Sequence, residues 1–405
     1  MSIMSLPIVN AQMAAEWAAD ETRERDFRGA VRRWISENLP ASWAHRSFGA
    51  GDETHLDQRR VFGRLLGEAG LLSLSWPKSV GGLELGAACR IILLEEMIAA
   101  GAPEPLNTNV LGIFAPTLIK FGTAEQCARF LPGMLTHDAI WCQGFSEPDA
   151  GSDLAAISTK GQADGDHLIV TGQKVWTSYA HLADYCYLLL RTSSHSVRHA
   201  GLSLVILPMR QDGVLVRPLR NIAGTDEFCE VFLDGARVPF ANVVGKAGNG
   251  WSIAMYALAQ ERSVGLAQRS LKLSGEFRQL AEMTRTLRCQ GNPRATDAFI
   301  SRAVVDAFVR SVAVSATVRR AIQLDSEGVD IGALSSIAKV AWSEGHQAQM
   351  DLVSELLGPE FVIDQPPGAD WYRAAMYARG ETIYGGTSQV QRNVLARSLG
   401  LPKGT

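Results

Sequence analysis

A large excess of charge of either sign is missing from this 405-residue sequence, in which 39 Lys and Arg face 42 Asp and Glu for a formal net charge of −3. That balance provides no basic face for nucleic acid or for an anionic membrane surface. Cysteine is scarce as well. The six residues (Cys89, Cys127, Cys142, Cys186, Cys229 and Cys289) are scattered, with no CxxC and no paired metal-ligand spacing. Such a distribution fits free thiols in a reducing compartment better than a disulfide framework, and no metal site is expected. No apolar run reaches the roughly 18 residues of a membrane span. The first 27 residues mix acids and bases early (Glu16, Asp20, Glu21, Arg23). They have neither the apolar core of a signal peptide nor the acid-poor composition of a transit peptide, so a cytoplasmic location is expected. Internal repeats and low-complexity segments are also lacking.

What is present is an ordinary globular composition, 46% hydrophobic and 20% charged, on a chain long enough for two or three domains. Up to about residue 138 the apolar spacing is helical, as in Arg59–Leu66 and Cys89–Ile98, with Trp76-Pro77 and Gly81-Gly82 marking a loop. Glu95-Glu96 reads as a solvated or interface pair on its helix. From 139 to 245 the period changes to short β-rich runs: His167–Thr171, Tyr185–Leu190, Leu202–Leu207 and Phe228–Leu233. Gly, Pro and Asp separate them, the pattern of an antiparallel barrel or sandwich. From 246 to 405 long helices return at Trp251–Leu287, around Ile300, Val304, Phe308 and Val312, and at Ile331–Leu357. A last helix starts at Ser388 with Gln391 as its expected capping-box partner. The predicted architecture is α+β and multidomain: an N-terminal helical domain (1–138), a middle β domain (139–245) and a C-terminal helical bundle (246–405). Such helices pack on one another and on another subunit.

Two segments carry unusual chemistry. Trp141-Cys142-Gln143-Gly144-Phe145-Ser146-Glu147-Pro148-Asp149-Ala150-Gly151-Ser152-Asp153-Leu154 brings small residues and hydroxyls to a strand end, where backbone N–H groups can meet something flat and polar. Gly172-Gln173-Lys174-Val175-Trp176-Thr177-Ser178 sets an aromatic beside two hydroxyls. Either alone is equally well a Pro/Gly turn or a piece of core.

Together they resemble the acyl-CoA dehydrogenase family, in Ser146-Glu147-Pro148-x-Ala150-Gly151-Ser152-Asp153 followed by Gly172-Gln173-Lys174-x-Trp176. The likeness extends to Trp76-Pro77-x-x-x-Gly81-Gly82, Phe121-Gly122-Thr123-x-x-Gln126, Val238-Pro239 with Gly250, and the terminal Tyr384-Gly385-Gly386-Thr387-Ser388-Gln389-x-Gln391-Arg392-Asn393. The resemblance implies noncovalent FAD and an acyl-CoA substrate that loses one hydrogen from each of Cα and Cβ, with electrons passed to an electron-transfer flavoprotein or similar acceptor. By similarity, Phe145, Ser146, Trp176, Thr177 and Ser178 line the flavin. Thr387 and Gln389 hold the far part of the FAD, and Ser152 and Arg262 lie on the substrate side. A thioester α-proton is weakly acidic, so its removal needs a carboxylate in a dry pocket and donors aimed at the carbonyl oxygen.

Many members place the catalytic Glu just before Gly-Thr in the terminal motif, where this chain has Gly385. Members acting on branched or long chains place it before an Arg on a C-terminal-domain helix, where this chain has Leu258-Ala259-Gln260-Glu261-Arg262-Ser263. Alone, Glu261 reads as a solvated helix residue paired with Arg262 or Arg269. With the carboxylate missing at 385, Glu261 becomes the expected base, and Gly385 keeps only its N–H for the thioester oxygen.

Two family features are missing. Arg288-Cys289-Gln290-Gly291-Asn292-Pro293-Arg294 lacks the Arg-x-x-Phe-Gly that reaches a neighbour's FAD, and Glu355-Leu356-Leu357-Gly358-Pro359 shortens a Gly-rich turn that meets the cofactor. The chain thereby resembles a bacterial subset that includes heteromeric enzymes of steroid side-chain and dicarboxylate breakdown. The expected assembly is a homo-oligomer or a heteromer with a related subunit that completes the adenine site. The alternatives are a flavin oxidase or monooxygenase of the same fold, or a non-catalytic subunit.

Overall fold

Apolar residues at helical spacing make the first layer of the computed structural model, which describes residues 21–43, 55–193, 198–289, 292–363 and 368–401. The expectations for the first 20 residues lie outside this set. Phe27, Val31, Trp34 and Ile35 bury one face of α1 (Glu21–Asn38) against Phe62 and Leu66 of α2 (Leu56–Glu68) and against Ile92, Leu93 and Met97 of α3 (Ala87–Ala99). Glu95 and Glu96 are an inter-helix pair. Arg28 reaches both at 2.6 and 2.9 Å, and Arg32 reaches Glu96 at 2.8 Å. Gly82 is required by close approach, since a Cβ there would lie 2.0 Å from the Trp76 carbonyl oxygen.

Two more helices, α4 (Thr108–Phe121) and α5 (Ala124–Leu135), lead into the sheet. A capping box starts α5, with the Thr123 hydroxyl accepting from the Gln126 N–H while the Gln126 side chain accepts from the Thr123 N–H. Gln126 also donates to the carbonyls of Ala241 and Val243, which fixes this helix to the end of the β layer.

The strands are β1 (Trp141–Gly144), β2 (Lys160–Asp164), β3 (His167–Lys174), β4 (Tyr185–Arg191), β5 (Leu202–Pro208), β6 (Val214–Leu219), β7 (Phe228–Pro239) and β8 (Val243–Val244). They form one eight-stranded sheet in the order β6-β7-β3-β2-β4-β5-β8, with β1 beside β4. It is mostly antiparallel, as the short β-rich runs between turn residues predict. The β1–β4 and β2–β4 pairings are parallel, which no local pattern announces. β4 and β5 read as unbroken apolar runs because both of their faces are covered.

Gly250 opens the 37-residue α6 (Gly250–Thr286) against the sheet, where a Cβ would lie 2.5 Å from the Ser203 backbone. A short β9–β10 hairpin (Arg288–Cys289, Asn292–Pro293) follows, and the Gln290-Gly291 tip of that segment lies outside the described residues. The bundle is completed by α7 (Ala298–Ser326), α8 (Gly332–Leu357), α9 (Gly368–Ala378) and α10 (Ser388–Ser398). The cap of α10 corrects the sequence expectation. Thr387, not Ser388, is the N-cap and accepts from the Val390 N–H, while Gln391 donates to the Gly385 carbonyl at 3.1 Å. Among the described residues five cysteines are free and buried, no His/Cys/Asp/Glu cluster suits a metal, and no helix is long and apolar enough to cross a membrane.

One core joins these layers. Phe114 of α4 stacks on Tyr187 of β4 at 4.6 Å and tilts against Trp141 of β1, while Ile253 and Ala254 of α6 pack into the same cluster. Phe114→Ala should therefore cost about 3–5 kcal/mol. A chemical-denaturation midpoint unchanged by this substitution would contradict a core shared between α4 and the sheet.

Candidate active site

A buried ion pair brings the two unusual segments together. Lys174, the last residue of β3, donates from Nζ to the Glu147 carboxylate at 2.8 Å and to the Phe145 carbonyl at 3.0 Å. The other donors to Glu147 are the Ser158 N–H and hydroxyl and the Thr159 N–H, at 2.6, 2.8 and 2.9 Å. Burial alone would raise the Glu147 carboxyl. The Lys174 charge and these hydrogen bonds outweigh it and hold the group down at about 2. Burial draws the Lys174 ammonium below its usual value, an effect opposed by the charge and hydrogen bond of Glu147. A further bond, Val175 N–H to the Ser146 carbonyl at 3.0 Å, zips the two segments side by side.

Beyond this zipper the chain twists sharply. Trp176 and Tyr179 have φ of 59° and 56°, a left-handed conformation that costs a bulky residue energy and is held by the surrounding structure. The twist leaves the Trp176 ring 63% exposed, edge-on to Phe228. Thr177 is fully buried and its hydroxyl has no partner, whereas Ser178 is half-buried. Phe145, expected beside a ligand, packs its ring into the core against Tyr187 and leaves only its backbone at the segment edge. Ser146 is half-buried and Ser152 is exposed.

The terminal motif forms a turn above the bundle. Gly385 and Gly386 have φ of 64° and 89°, Gly385 is exposed, and Gln391 braces its carbonyl. Thr387 spends its hydroxyl on the α10 cap, and Gln389 is exposed. Tyr384 lies beneath the Arg269 guanidinium at 5.5 Å. Glu261 and Arg262 lie within α6, one helical turn past the buried Ala257, and their side chains are outside the described residues.

Two polar clusters escaped the sequence reading. In the bundle, His346 of α8 sits between two carboxylates, 2.6 Å from Glu381 and 2.8 Å from Glu276 of α6, while Lys339 donates to the Glu381 carbonyl at 2.6 Å. Burial would discharge the imidazole. The two carboxylates prevail and raise it to about 10, so at neutral pH a charged clamp ties the Glu381–Gly386 turn to α6 and α8. Near the Trp176 twist, the buried Arg59 of α2 donates to the Tyr179 hydroxyl at 2.9 Å and to the Glu104 carbonyl at 2.7 Å. Glu227, just before β7, joins the same cluster. No local pattern in the sequence marks either cluster, since their members come from distant segments.

Comparison with known proteins gives these features a context. Models of the acyl-CoA dehydrogenase N-terminal, middle and C-terminal domains match residues 21–138, 142–236 and 248–400. Acyl-CoA dehydrogenase IpdE1 of Mycobacterium tuberculosis is 37% identical over 383 residues, covering 93% of this chain and 98% of that protein. The mitochondrial short-chain specific acyl-CoA dehydrogenase of Mus musculus is 27% identical over 85% of this chain and 84% of its own. Among solved structures, the Tcur3481-Tcur3483 steroid ACAD has a TM-score of 0.84 at 27% identity, covering 95% of this chain and 99% of that one. The ChsE4-ChsE5 complex from Mycobacterium tuberculosis has 0.82 at 28% identity, with the same coverage.

Lys174→Met leaves the Glu147 carboxylate buried without its cation, and a loss of about 3–5 kcal/mol is expected. The wild-type contribution of Glu147 is complete above pH 4.5 and falls away as pH drops toward about 2, so the gap between variant and wild type narrows in that window. Denaturant midpoints measured across this pH range check both statements. A variant as stable as wild type at pH 7 would show that the zipper does not depend on the pair.

Proposed function

The chain belongs to the acyl-CoA dehydrogenase family and is an oxidoreductase acting on acyl-CoA, and from this premise we propose that Glu261 takes the α-proton at a site formed by the Trp176 twist and the Gly385 turn. FAD is the proposed cofactor. When bound, it accepts the hydride from Cβ of the acyl chain. The residues present fit a flat ligand that carries hydrogen-bonding edges. An exposed indole in a strained backbone conformation offers a flat face, and the orphan Thr177 hydroxyl and the half-buried Ser146 and Ser178 supply polar partners. Phe145 contributes through its backbone, and Thr387 and Gln389 are assigned to the far part of the cofactor.

The observation that carries the reading is the Gly385 turn. It has no carboxylate, yet it is held by Gln391, by the α10 cap and by the His346 clamp. A glycine so fixed serves through its N–H, aimed at the thioester oxygen, where it stabilises the charge that develops as the α-proton leaves. The proton then requires a carboxylate from elsewhere, and Glu261 on α6 is the candidate. Arg262 and Ser152 bind substrate on this reading. Electrons leave the site for an electron-transfer flavoprotein or a similar acceptor.

Assembly with a second chain of the same family is part of the proposal. Phe308 is 52% exposed on α7, with Phe299, Val305, Val309 and Val312 also exposed along that helix. Two of the similar solved structures carry paired names, Tcur3481-Tcur3483 and ChsE4-ChsE5. Sedimentation of the purified chain should give an oligomer, alone or with a related subunit. FAD occupancy should depend on these contacts, and a stable monomer that holds FAD fully and turns over would refute that dependence.

Anaerobic mixing with a panel of acyl-CoAs tests the chemistry. The flavin of the wild-type protein should bleach under these conditions, and in a separate aerobic assay turnover should consume no oxygen. Glu261→Gln should bind both ligands but lower the rate of bleaching by about 10²–10⁴-fold. Bleaching at the wild-type rate in that variant would rule Glu261 out as the base.

A further inference from the structure

Glu227 occupies a position that the reaction does not require but the geometry singles out. Its side chain is 6% exposed, and one carboxyl oxygen, Oε2, is buried with no partner. The other, Oε1, accepts from the Tyr377 hydroxyl of α9 at 3.4 Å. Ser178, in the run assigned above to the flavin, lies beside the same carboxyl and favours its charged form, and the Tyr179 N–H donates to the Glu227 carbonyl at 2.7 Å. On its far side Tyr377 touches Tyr384, with ring centroids 6.3 Å apart, and Tyr384 directly precedes Gly385. A single carboxyl thus connects the hydroxyl that faces the cofactor to the turn that faces the thioester.

We propose that Glu227 is a positioning residue, whose carboxyl sets the Ser178 hydroxyl against the flavin and, through Tyr377 and Tyr384, sets the height of the Gly385 turn above it. The proposal rests on the functional reading given above. Every element packed around Glu227 contributes a polar group: Arg59 from α2, the backbone and side chain of Glu104 from the segment after α3, Ser178 and Tyr179 from the twist, and Tyr377 from α9. Burial raises the carboxyl to about 7. Tyr377, Arg59 and Ser178 oppose the rise, and the nearby Glu104 charge adds to it. Below neutral pH the carboxyl is uncharged. Above it, a negative charge appears beside the flavin-facing run and opposes electron uptake there. The rate of flavin reduction should therefore show two limbs, a rising one as Glu261 ionises and a falling one near pH 7 as Glu227 ionises.

FAD-loaded wild type, Glu227→Gln and Glu227→Ala are compared by flavin absorption, by FAD dissociation constant and by the pH profile of reduction by acyl-CoA. Gln keeps an acceptor for Tyr377 and Ser178 but carries no charge. It should retain the flavin spectrum and remove the falling limb while leaving the rising one. Ala removes both anchors. It should shift the flavin band and slow reduction by about 10–100-fold, with a much smaller change in acyl-CoA affinity. If Glu227→Ala merely destabilises the fold, Glu227→Gln still decides the matter through its pH profile. Wild-type protein that binds FAD and is bleached by acyl-CoA, with a falling limb that survives in Glu227→Gln or a flavin spectrum untouched in both variants, overturns this proposal alone. Protein that takes up no FAD overturns the functional reading, and this proposal with it.

Discussion

The ion pair between Lys174 and Glu147 is the constraint on which the site depends. Neither charge can leave for water, and neither tolerates the loss of the other. The attraction between the two charges matters less than the connectivity of the pair. The same ammonium holds the Phe145 carbonyl, and the same carboxylate gathers three donors from Ser158 and Thr159. Two loops that would otherwise be independent become one rigid edge. The backbone strain at Trp176 and Tyr179 persists because this edge and the Thr177–Cys229 backbone pairing fix both sides of the twist.

The bundle solves a parallel problem with different chemistry. The turn carrying Gly385 has two consecutive glycines at positive φ and would be floppy without external support. His346, charged between Glu276 and Glu381, and Lys339 on the Glu381 carbonyl provide that support from α6 and α8. Because α6 also carries Glu261, the proposed base and the proposed oxyanion donor share a single frame. Placing acid–base and electrostatic groups on elements locked to each other preserves the distances on which rate depends.

Much of the fold was legible in the chain because its signals are local. Helical spacing in Arg59–Leu66 and Cys89–Ile98, and the β-rich run His167–Thr171 after its turn, follow from which side of each element meets water. The parallel pairing of β1 with β4 was not legible, because it joins residues some 44 positions apart and leaves no local trace. The same division holds in the site. Trp176 and Ser178 stand in a compact motif, whereas Arg59, Glu227 and Tyr377 are single polar residues in three distant segments, meaningful only once brought together. The α10 cap was misread by one residue because Thr387 and Ser388 have equal capping chemistry and only the backbone decides between them. The inward direction of the Phe145 ring was not legible, because the motif does not tell which way a side chain points at the end of a strand.

The core built around Phe114, Trp141 and Tyr187 has a bearing on how the molecule comes apart. Its members come from α4, β1 and β4, with Ile253 and Ala254 from α6, so it straddles both places where the sequence period changes. A chain cut near residue 138 or 245 would expose the aromatic stack on one fragment or the other. The changes of period mark where one kind of secondary structure gives way to another, and they are poor places to divide the protein. The three regions are joined through this core as a keystone joins an arch.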